Sequence, residues 1–421
     1  MKNTKTILCC LTSFLLLCFS SGLAFAQTEP IQLGVVTSLG YPHGKEGLVA
    51  VQMAVEEINS NGGVEVNGVH RKFTIASSDD RSAAPGVPVS DAVMALNKMI
   101  KQNDPVAILV GPYRSEAFLA GMDVLAENKV IELNSIAMSP KMEHKVKTDY
   151  DKYKYTFRVS HNAIQMANSI AEQFAYLKDK YDFNNLYIIK EDISWAHAVS
   201  KALAKKVKNM GYSVVGESST ALGATDYSMP LTKVRRSKAQ SIAAIFSLPE
   251  TATMVKQMHD MRIPALLAGY HSYIVPGHMW ETMNGKVEYA LVTAGELGLV
   301  PSEKYPKSVT FFNKFKKRLG HYPDADHSGA SAYDSVYMLK NAIERAGSLN
   351  PDQLVKELEK ADYMGVSGRM KFNDNHQVIY GDNPEKAACE VTFQWQDGER
   401  VPVLPKSISE GQIILPPWMK K

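Results

Sequence analysis

Short β-branched runs alternate along this chain with stretches whose apolar residues recur at helical spacing. Ile31–Val36 reads as a buried strand. The segment 47–59 then places Val51, Ala54, Val55 and Ile58 on one helical face and stops at Asn61-Gly62-Gly63. The same alternation continues. Strands are predicted at 73–76, 107–110 and 130–133, with helices at 89–100 and 115–127. A second series follows, with helices at 163–177, 198–209, 228–237 and 251–261. Its strands fall at 186–189, 213–217, 242–246 and 265–268. Repeated units of this kind build parallel sheets covered by helices on both faces.

One sheet with so many strands is implausible, so the pattern predicts an α/β fold of two doubly wound parallel-sheet lobes joined by a hinge. The first division falls near Phe157-Arg158-Val159, and a strand at 291–294 carries the chain back. The expected first lobe is 27–158 with 295–366, and the second is 159–294 with 367–421. Helices are expected at 305–319, 330–346 and 351–360. In the tail, Phe372, Val391, Phe393 and Trp395 alternate with polar residues, and Gln396-Asp397-Gly398 gives a hairpin turn.

The first 26 residues do not fit this scheme. Lys2 and Lys5 precede an apolar run from Ile7 to Phe19, and Ala24-Phe25-Ala26 is a small-x-small cleavage site. The run is shorter than the roughly 20 residues that span a bilayer, so it reads as a cleavable secretory signal of Gram-negative type and implies the periplasm. Leu17 before Cys18 speaks against a lipoprotein signal. Cys9, Cys10 and Cys18 leave with the leader, so Cys389 remains alone and an intrachain disulfide is excluded. The rest of the chain is expected to be soluble, monomeric and not inserted in a membrane. Lys plus Arg number 47 against 44 acidic residues, a net charge of +3, which is no nucleic-acid footprint.

Motifs for catalysis and cofactors are missing. Neither a phosphate-binding Gly-x-x-x-x-Gly-Lys loop nor Gly-x-Gly-x-x-Gly after the first strand is present, and His-Glu-x-x-His and Gly-x-Ser-x-Gly are absent. The nearest candidate, His327-Ser328-Gly329-Ala330-Ser331, reads as a loop capping the following helix. Asp79-Asp80 and Glu56-Glu57 read as solvated faces and caps. The expectation is therefore no cofactor, no metal, no catalytic residue and no enzyme activity.

Four segments, in this order, resemble the periplasmic solute-binding proteins of ABC importers, of the branched-chain amino acid and amide (Leu/Ile/Val-binding, type I) group. They are Leu33-Gly34-Val35-Val36-Thr37 with Gly44 and Ala54–Asn59; Val110-Gly111-Pro112-Tyr113-Arg114-Ser115; Tyr155-Thr156-Phe157-Arg158-Val159; and Gly223-Ala224-Thr225-Asp226-Tyr227-Ser228. The resemblance spans residues 31 to 395. It implies a two-lobed receptor that closes over a small solute and delivers it to permease transmembrane subunits, with no bond made or broken.

It also implies where the solute sits. Ligands of open α/β sheets lie beyond the carboxyl ends of the strands, where Tyr113, Arg114 and Ser115 join a strand to a helix. Ser115 matches the ligand-binding serine of the family and could equally serve as a helix N-cap. Arg114 replaces a small residue and would pair with an anionic group or face solvent. Tyr41 and His43 lie on the loop before Gly44, as ring contacts or plain loop residues. In Ile136-Ala137-Met138 the family's threonine has become Met138, a poor hydrogen-bond partner. Trp195, in Asp192-Ile193-Ser194-Trp195-Ala196, replaces a stacking tyrosine. Tyr270 and His271 stand where leucine-type members place an acid.

Two anchors for a solute ammonium are thus lost, and a buried unpaired ammonium costs several kcal/mol. The expected solute is a small carboxylate with an apolar or aromatic body. The alternative is an amino acid or amide, with Glu250 or a backbone carbonyl replacing what is missing. A ligand-sensing subunit of a periplasmic signalling system would use the same fold.

Overall fold

The structure, a computed structural model, describes residues 29–419. The predicted leader lies outside them. Five parallel strands form the first sheet: β1 (Ile31–Thr37), β2 (Phe73–Asp79), β3 (Ala107–Val110), β4 (Ile131–Asn134) and β5 (Thr156–Arg158), in spatial order β2-β1-β3-β4-β5. The side chains alternate between its two faces as the strand period requires. Val36 and Ile108 pack under the helices Val89–Asn103 and Ser115–Asn128, beside Leu96, Met99 and Leu125. Val35 and Leu109 face the opposite core, with Val51 and Ala54 of Pro42–Ser60 and Val336 and Leu339 of Gly329–Ala346.

The second sheet repeats this plan with β6 (Asn185–Glu191), β7 (Ser213–Thr220), β8 (Ser241–Phe246) and β9 (Leu266–His271), all parallel in the order β9-β8-β6-β7. Ile188, Ala243 and Ile245 pack on the Ala163–Tyr181 and Ser194–Asn209 helices. Ile189, Ala244 and Phe246 face Leu231, Met254 and Val255 on the other side. Both lobes are therefore doubly wound, as the hydrophobic pattern predicts.

A third sheet was not foreseen as separate. Strand β10 (Leu291–Ala294) pairs antiparallel with β11 (Val391–Gln396), which turns at Asp397-Gly398 into β12 (Glu399–Leu404). It lies beside β9 without joining its ladder. Gln173 fills the gap: its Nε2 donates to Gly269 O at 3.2 Å and to Thr293 Oγ1 at 2.6 Å, while its Oε1 accepts from Gly269 N at 2.8 Å. One buried side-chain amide thus satisfies both backbone groups of Gly269. The Val64–Val66/Val69–Arg71 hairpin was also missed, although Asn67-Gly68, both at positive φ, is the strongest short-range signal for one.

The chain leaves the first lobe at β5. The fully buried Arg158 guanidinium donates to Glu143 Oε1 and Gln377 Oε1, each at 2.9 Å, and to Ser139 O at 2.6 Å. Residues Met370, Phe372, Val378 and Ala388 pack in the first core, so the stretch through 388, expected with the second lobe, lies against the first. The reason is local: Arg158 N donates to His376 O, and Val378 N donates to Arg158 O, extending the edge of the first sheet. No helix among the described residues is long and apolar enough to cross a membrane.

Candidate functional site

Strand β3 ends in a tight reversal. Val110 has φ +75° and the Gly111 N–H donates to Leu109 O at 3.0 Å, a γ-turn that is rare and strained for a β-branched residue. Gly111 follows at φ +80°, and a Cβ there would lie 2.1 Å from Asn134 Nδ2. The turn delivers Tyr113, Arg114 and Ser115 to the start of the Ser115–Asn128 helix. Arg114 occupies its cap position in extended conformation, and no side chain caps the helix. The second lobe matches this from the other side. The Ser194–Asn209 helix begins after Ile193, also extended and also without a side-chain cap. Free N–H groups and the positive dipole end of both helices are thus available to an anion.

Between these two helix starts lies a cavity of about 450 Å3. The first lobe contributes Tyr113, Arg114, Ser115, Ile136 and Met138 to its wall, and the second contributes Trp195, Ser247, Leu248 and Tyr270. Trp195 and Tyr270 meet edge to face with centroids 5.6 Å apart. The Met138 sulfur is already engaged, 2.9 Å from His161 Nε2. Arg114 is tethered to its own lobe by Nη2, which donates to Val87 O at 2.8 Å, while its buried Nε has no partner among the described residues. A similar volume, about 470 Å3, lies beside Met258, Leu267 and Trp418, but none of its lining comes from the first lobe.

Seven of the ten residues predicted for the site line the interlobe cavity: Tyr113, Arg114, Ser115, Ile136, Met138, Trp195 and Tyr270. Three do not. His43 sits behind Tyr113, with ring centroids 5.4 Å apart, and Tyr41 packs on the same ring at 5.9 Å. His271 turns into the second core, its ring tilted against Phe246 with centroids 5.3 Å apart and its Nε2 donating to Thr251 O at 3.2 Å; burial lowers its pKa to about 4. Strand alternation explains this: Tyr270 faces the cavity, so its neighbour cannot. Glu250 is no substitute for the missing acid, since its Oε1 accepts from Gly223 N at 2.8 Å and it does not reach the wall.

Behind the cavity lies a buried polar cluster. Asp326 Oδ1 accepts from His43 Nε2 at 3.0 Å and Ser272 Oγ at 2.6 Å, and His327 Nδ1 lies 3.3 Å away. Against the pull of burial, His327 and His43 hold the Asp326 carboxyl well below its usual range, and Asp326 raises His327. Burial, with the nearby His327 charge, lowers His43. His43, Asp326 and His327 have metal-ligand chemistry and lie within 4.8 Å of one another, but their donors are used on each other. His327 also lines the cavity. The segment 327–331 was expected only to cap a helix. That task falls to Glu296, which accepts from Ser328 N, Ala330 N and Ser331 Oγ.

On the second lobe, Glu191 shapes the loop that carries Ser247 and Leu248. Its Oε1 accepts from both backbone N–H groups, at 2.8 and 2.7 Å, and its Oε2 from Ser247 Oγ at 2.9 Å. Burial nevertheless pushes this carboxyl up to about 7. Asp80, read as solvated, is buried and accepts from Ser38 Oγ at 2.7 Å. Cys389 is buried, which pushes its thiol up to about 12.

The sequence profile of the periplasmic binding protein family matches residues 30–382. The chain belongs to this family. Among its relatives is the leucine-, isoleucine-, valine-, threonine- and alanine-binding protein of Pseudomonas aeruginosa, 22% identical over 366 residues, covering 85% of this chain and 88% of that protein. A branched-chain amino acid ABC transporter structure from Silicibacter pomeroyi superposes with a TM-score of 0.80 at 19% identity, covering 93% of this chain and all of that one. An ABC transporter solute-binding protein from R. palustris in complex with benzoate gives a TM-score of 0.70 at 13% identity, covering 91% of this chain and 98% of that one. The two parallel-sheet lobes of this chain have the type I fold of these structures.

Within this periplasmic binding protein, Ser247, Leu248 and His327 are among the wall residues that the sequence did not assign to the site. Ser247 and Leu248 had a signal, since they follow a predicted strand as Ser115 does. His327 had none, because its place in the wall depends on a chain return from nearly 200 residues beyond Ile136, whose carbonyl its Nε2 approaches at 3.3 Å.

Proposed function

We propose that this protein is the solute-binding component of an ABC importer. It is exported through the leader 1–26, captures a small organic carboxylate with an apolar or aromatic body, and presents the closed form to the permease transmembrane subunits. No bond is made or broken. The observation that carries this reading is the pair of uncapped helix starts, at Ser115 and Ser194, aimed at one cavity from opposite lobes. Two helix N-termini favour an anion. The rest of the wall, Trp195, Tyr270, Tyr113, Ile136, Met138 and Leu248, suits an apolar or aromatic body.

The anchor for a solute ammonium is weak. The acids at the cavity edge are Asp192 and Glu116. Glu116 is exposed, and Asp192 is exposed and already paired with His197 Nε2 at 2.7 Å. Asp326 and Glu191 are occupied by their own hydrogen bonds. An ammonium would therefore be desolvated without a dedicated partner.

Isothermal titration calorimetry on the mature protein tests this, with benzoate and phenylacetate against leucine and isoleucine. Binding of the aromatic acids at least tenfold tighter than that of the amino acids is expected. Leucine binding as tight as or tighter than benzoate binding overturns the carboxylate reading and restores the amino-acid one.

A further inference from the structure

A small polar cavity of about 100 Å3 lies away from the solute site, where the Ala163–Tyr181 helix meets the returning segment 380–392. Glu390 projects into it. This residue is 4% exposed, and neither carboxylate oxygen has a hydrogen-bond partner; the Ser169 hydroxyl lies beside it without forming a well-oriented bond. Glu172 stands on the rim of the same cavity, and Asn168 and Ser169 complete the wall on the helix side. No Lys or Arg of the described residues makes an ion pair with Glu390. Its one basic neighbour within ion-pair distance is His161, whose Nδ1 is 3.5 Å away and faces Gly295 O at 3.3 Å. Burial keeps that imidazole neutral, at about 3.

A buried carboxylate with no well-formed hydrogen bond and no charged counter-ion is a costly arrangement unless something else occupies the cavity. We propose that the cavity binds a hard cation of the calcium type, held by the carboxylates of Glu390 and Glu172 and by the side-chain oxygens of Asn168 and Ser169. The donor chemistry selects the class of ion. The lining offers oxygens and no thiol or imidazole, which favours calcium over zinc or copper. The volume takes one ion and two or so waters, at roughly 30 Å3 per water. An irregular shell of this kind, shared between a helix and a separate segment, suits calcium better than the stricter octahedron of magnesium. The bound ion would fasten the returning segment to the second lobe, so it stabilises the native state by linkage.

Calcium added to the metal-free mature protein should give saturable one-site heat in calorimetry and raise the unfolding temperature by several degrees. Glu390→Gln should weaken calcium binding at least tenfold. Terbium in place of calcium should show luminescence sensitised by Tyr380, which lines the cavity. Tyr380→Phe should reduce that luminescence while calcium heats persist. Should Glu390→Gln fail to fold, Glu172→Gln on the exposed rim carries the same expectation of weakened binding. Absence of saturable binding at millimolar calcium overturns the proposal, because Glu390 then simply carries a proton. Calcium binding of equal strength in both glutamine variants overturns it as well, since the ion then sits elsewhere.

Discussion

Ser115 and Trp195 meet the same cavity from opposite lobes and act through different forces. Ser115 offers a hydroxyl at an uncapped helix start, so its expected role is a hydrogen bond to the solute carboxylate. Such a bond to a charged group contributes about 1.5–3 kcal/mol. Ser115→Ala is therefore expected to weaken binding of the preferred acid by about tenfold or more, with little change in unfolding temperature, because no cap bond is lost. Trp195 offers ring area against Tyr270. Trp195→Ala should cost about 2 kcal/mol or more, as buried aromatic anchors do. Calorimetry on both variants checks these values. Equal affinity in wild type and Trp195→Ala would remove the residue from the site. Glu191 allows a pH test. Its folded pKa, raised to about 7 by burial, exceeds the ordinary value of 4.5. The folded state then binds more protons than the unfolded one between these values, so this group's contribution to stability declines as pH rises from about 4.5 to 7. Denaturant unfolding at pH 5 and pH 7.5 should show wild type losing more stability over that interval than Glu191→Gln. The difference is on the order of 2 kcal/mol.

At the scale of elements, the turn that closes β3 is where local geometry and site are hardest to separate. Gly111 has φ +80°, and a Cβ would meet Asn134 Nδ2 at 2.1 Å and Glu132 Oε1 at 2.3 Å. Asn134 cannot yield freely, because its Oδ1 accepts from the N–H groups of Ile136 and Ala137, which shape the adjoining loop of the cavity. Gly111→Ala should therefore lower stability by about 1–3 kcal/mol and weaken solute binding together. Thermal unfolding and calorimetry on one preparation read both; a change in stability alone would show that the Met138 loop is held independently. The same turn shows what the sequence could reveal. Strand β3 was legible as a short apolar run, and the Ser115 helix as a period of three to four, because burial on each face imposes those patterns locally. The helix bearing Trp195 was read as starting at Ala198 and starts at Ser194. Its first turn, Ser194-Trp195-Ala196-His197, turns Ser194, Trp195 and His197 to the cavity and only Ala196 to the core, so the apolar period does not begin there. Gln173 and the separate third sheet were not legible, since they depend on pairings between residues about 100 positions apart or more. The same is true of the His43–Asp326 pair, 283 positions apart. Tyr270 was legible as cavity-facing only once the strand phase was known, which is why His271 was drawn in with it.

For the whole molecule, the contact that spans the lobes is the one that bears on closure. Asp326 belongs with the first lobe, because Glu46 of the Pro42–Ser60 helix accepts from the preceding Asp324 and Ala325 N–H groups. Ser272 follows β9 of the second lobe, and its hydroxyl donates to Asp326 Oδ1 at 2.6 Å. Nearby, the half-buried Tyr113 of the first lobe lies within reach of Ser247 of the second. A hydrogen bond to a buried carboxylate is among the stronger ones, and it is made only while the lobes are together. Its loss should shift the solute-free protein toward an open state, since it stabilises one of two arrangements and leaves the other untouched. Ser272→Ala keeps the fold, because His43 and His327 still serve Asp326. Small-angle X-ray scattering of the solute-free variant should then give a larger radius of gyration than wild type, and saturating solute should restore the wild-type value. Apparent affinity should fall by the same factor as the closed population, because the competent fraction scales the observed dissociation constant. A variant with unchanged radius and unchanged affinity would mean that this bond only packs the hinge, and that closure is driven by the solute bridging Ser115 and Ser194.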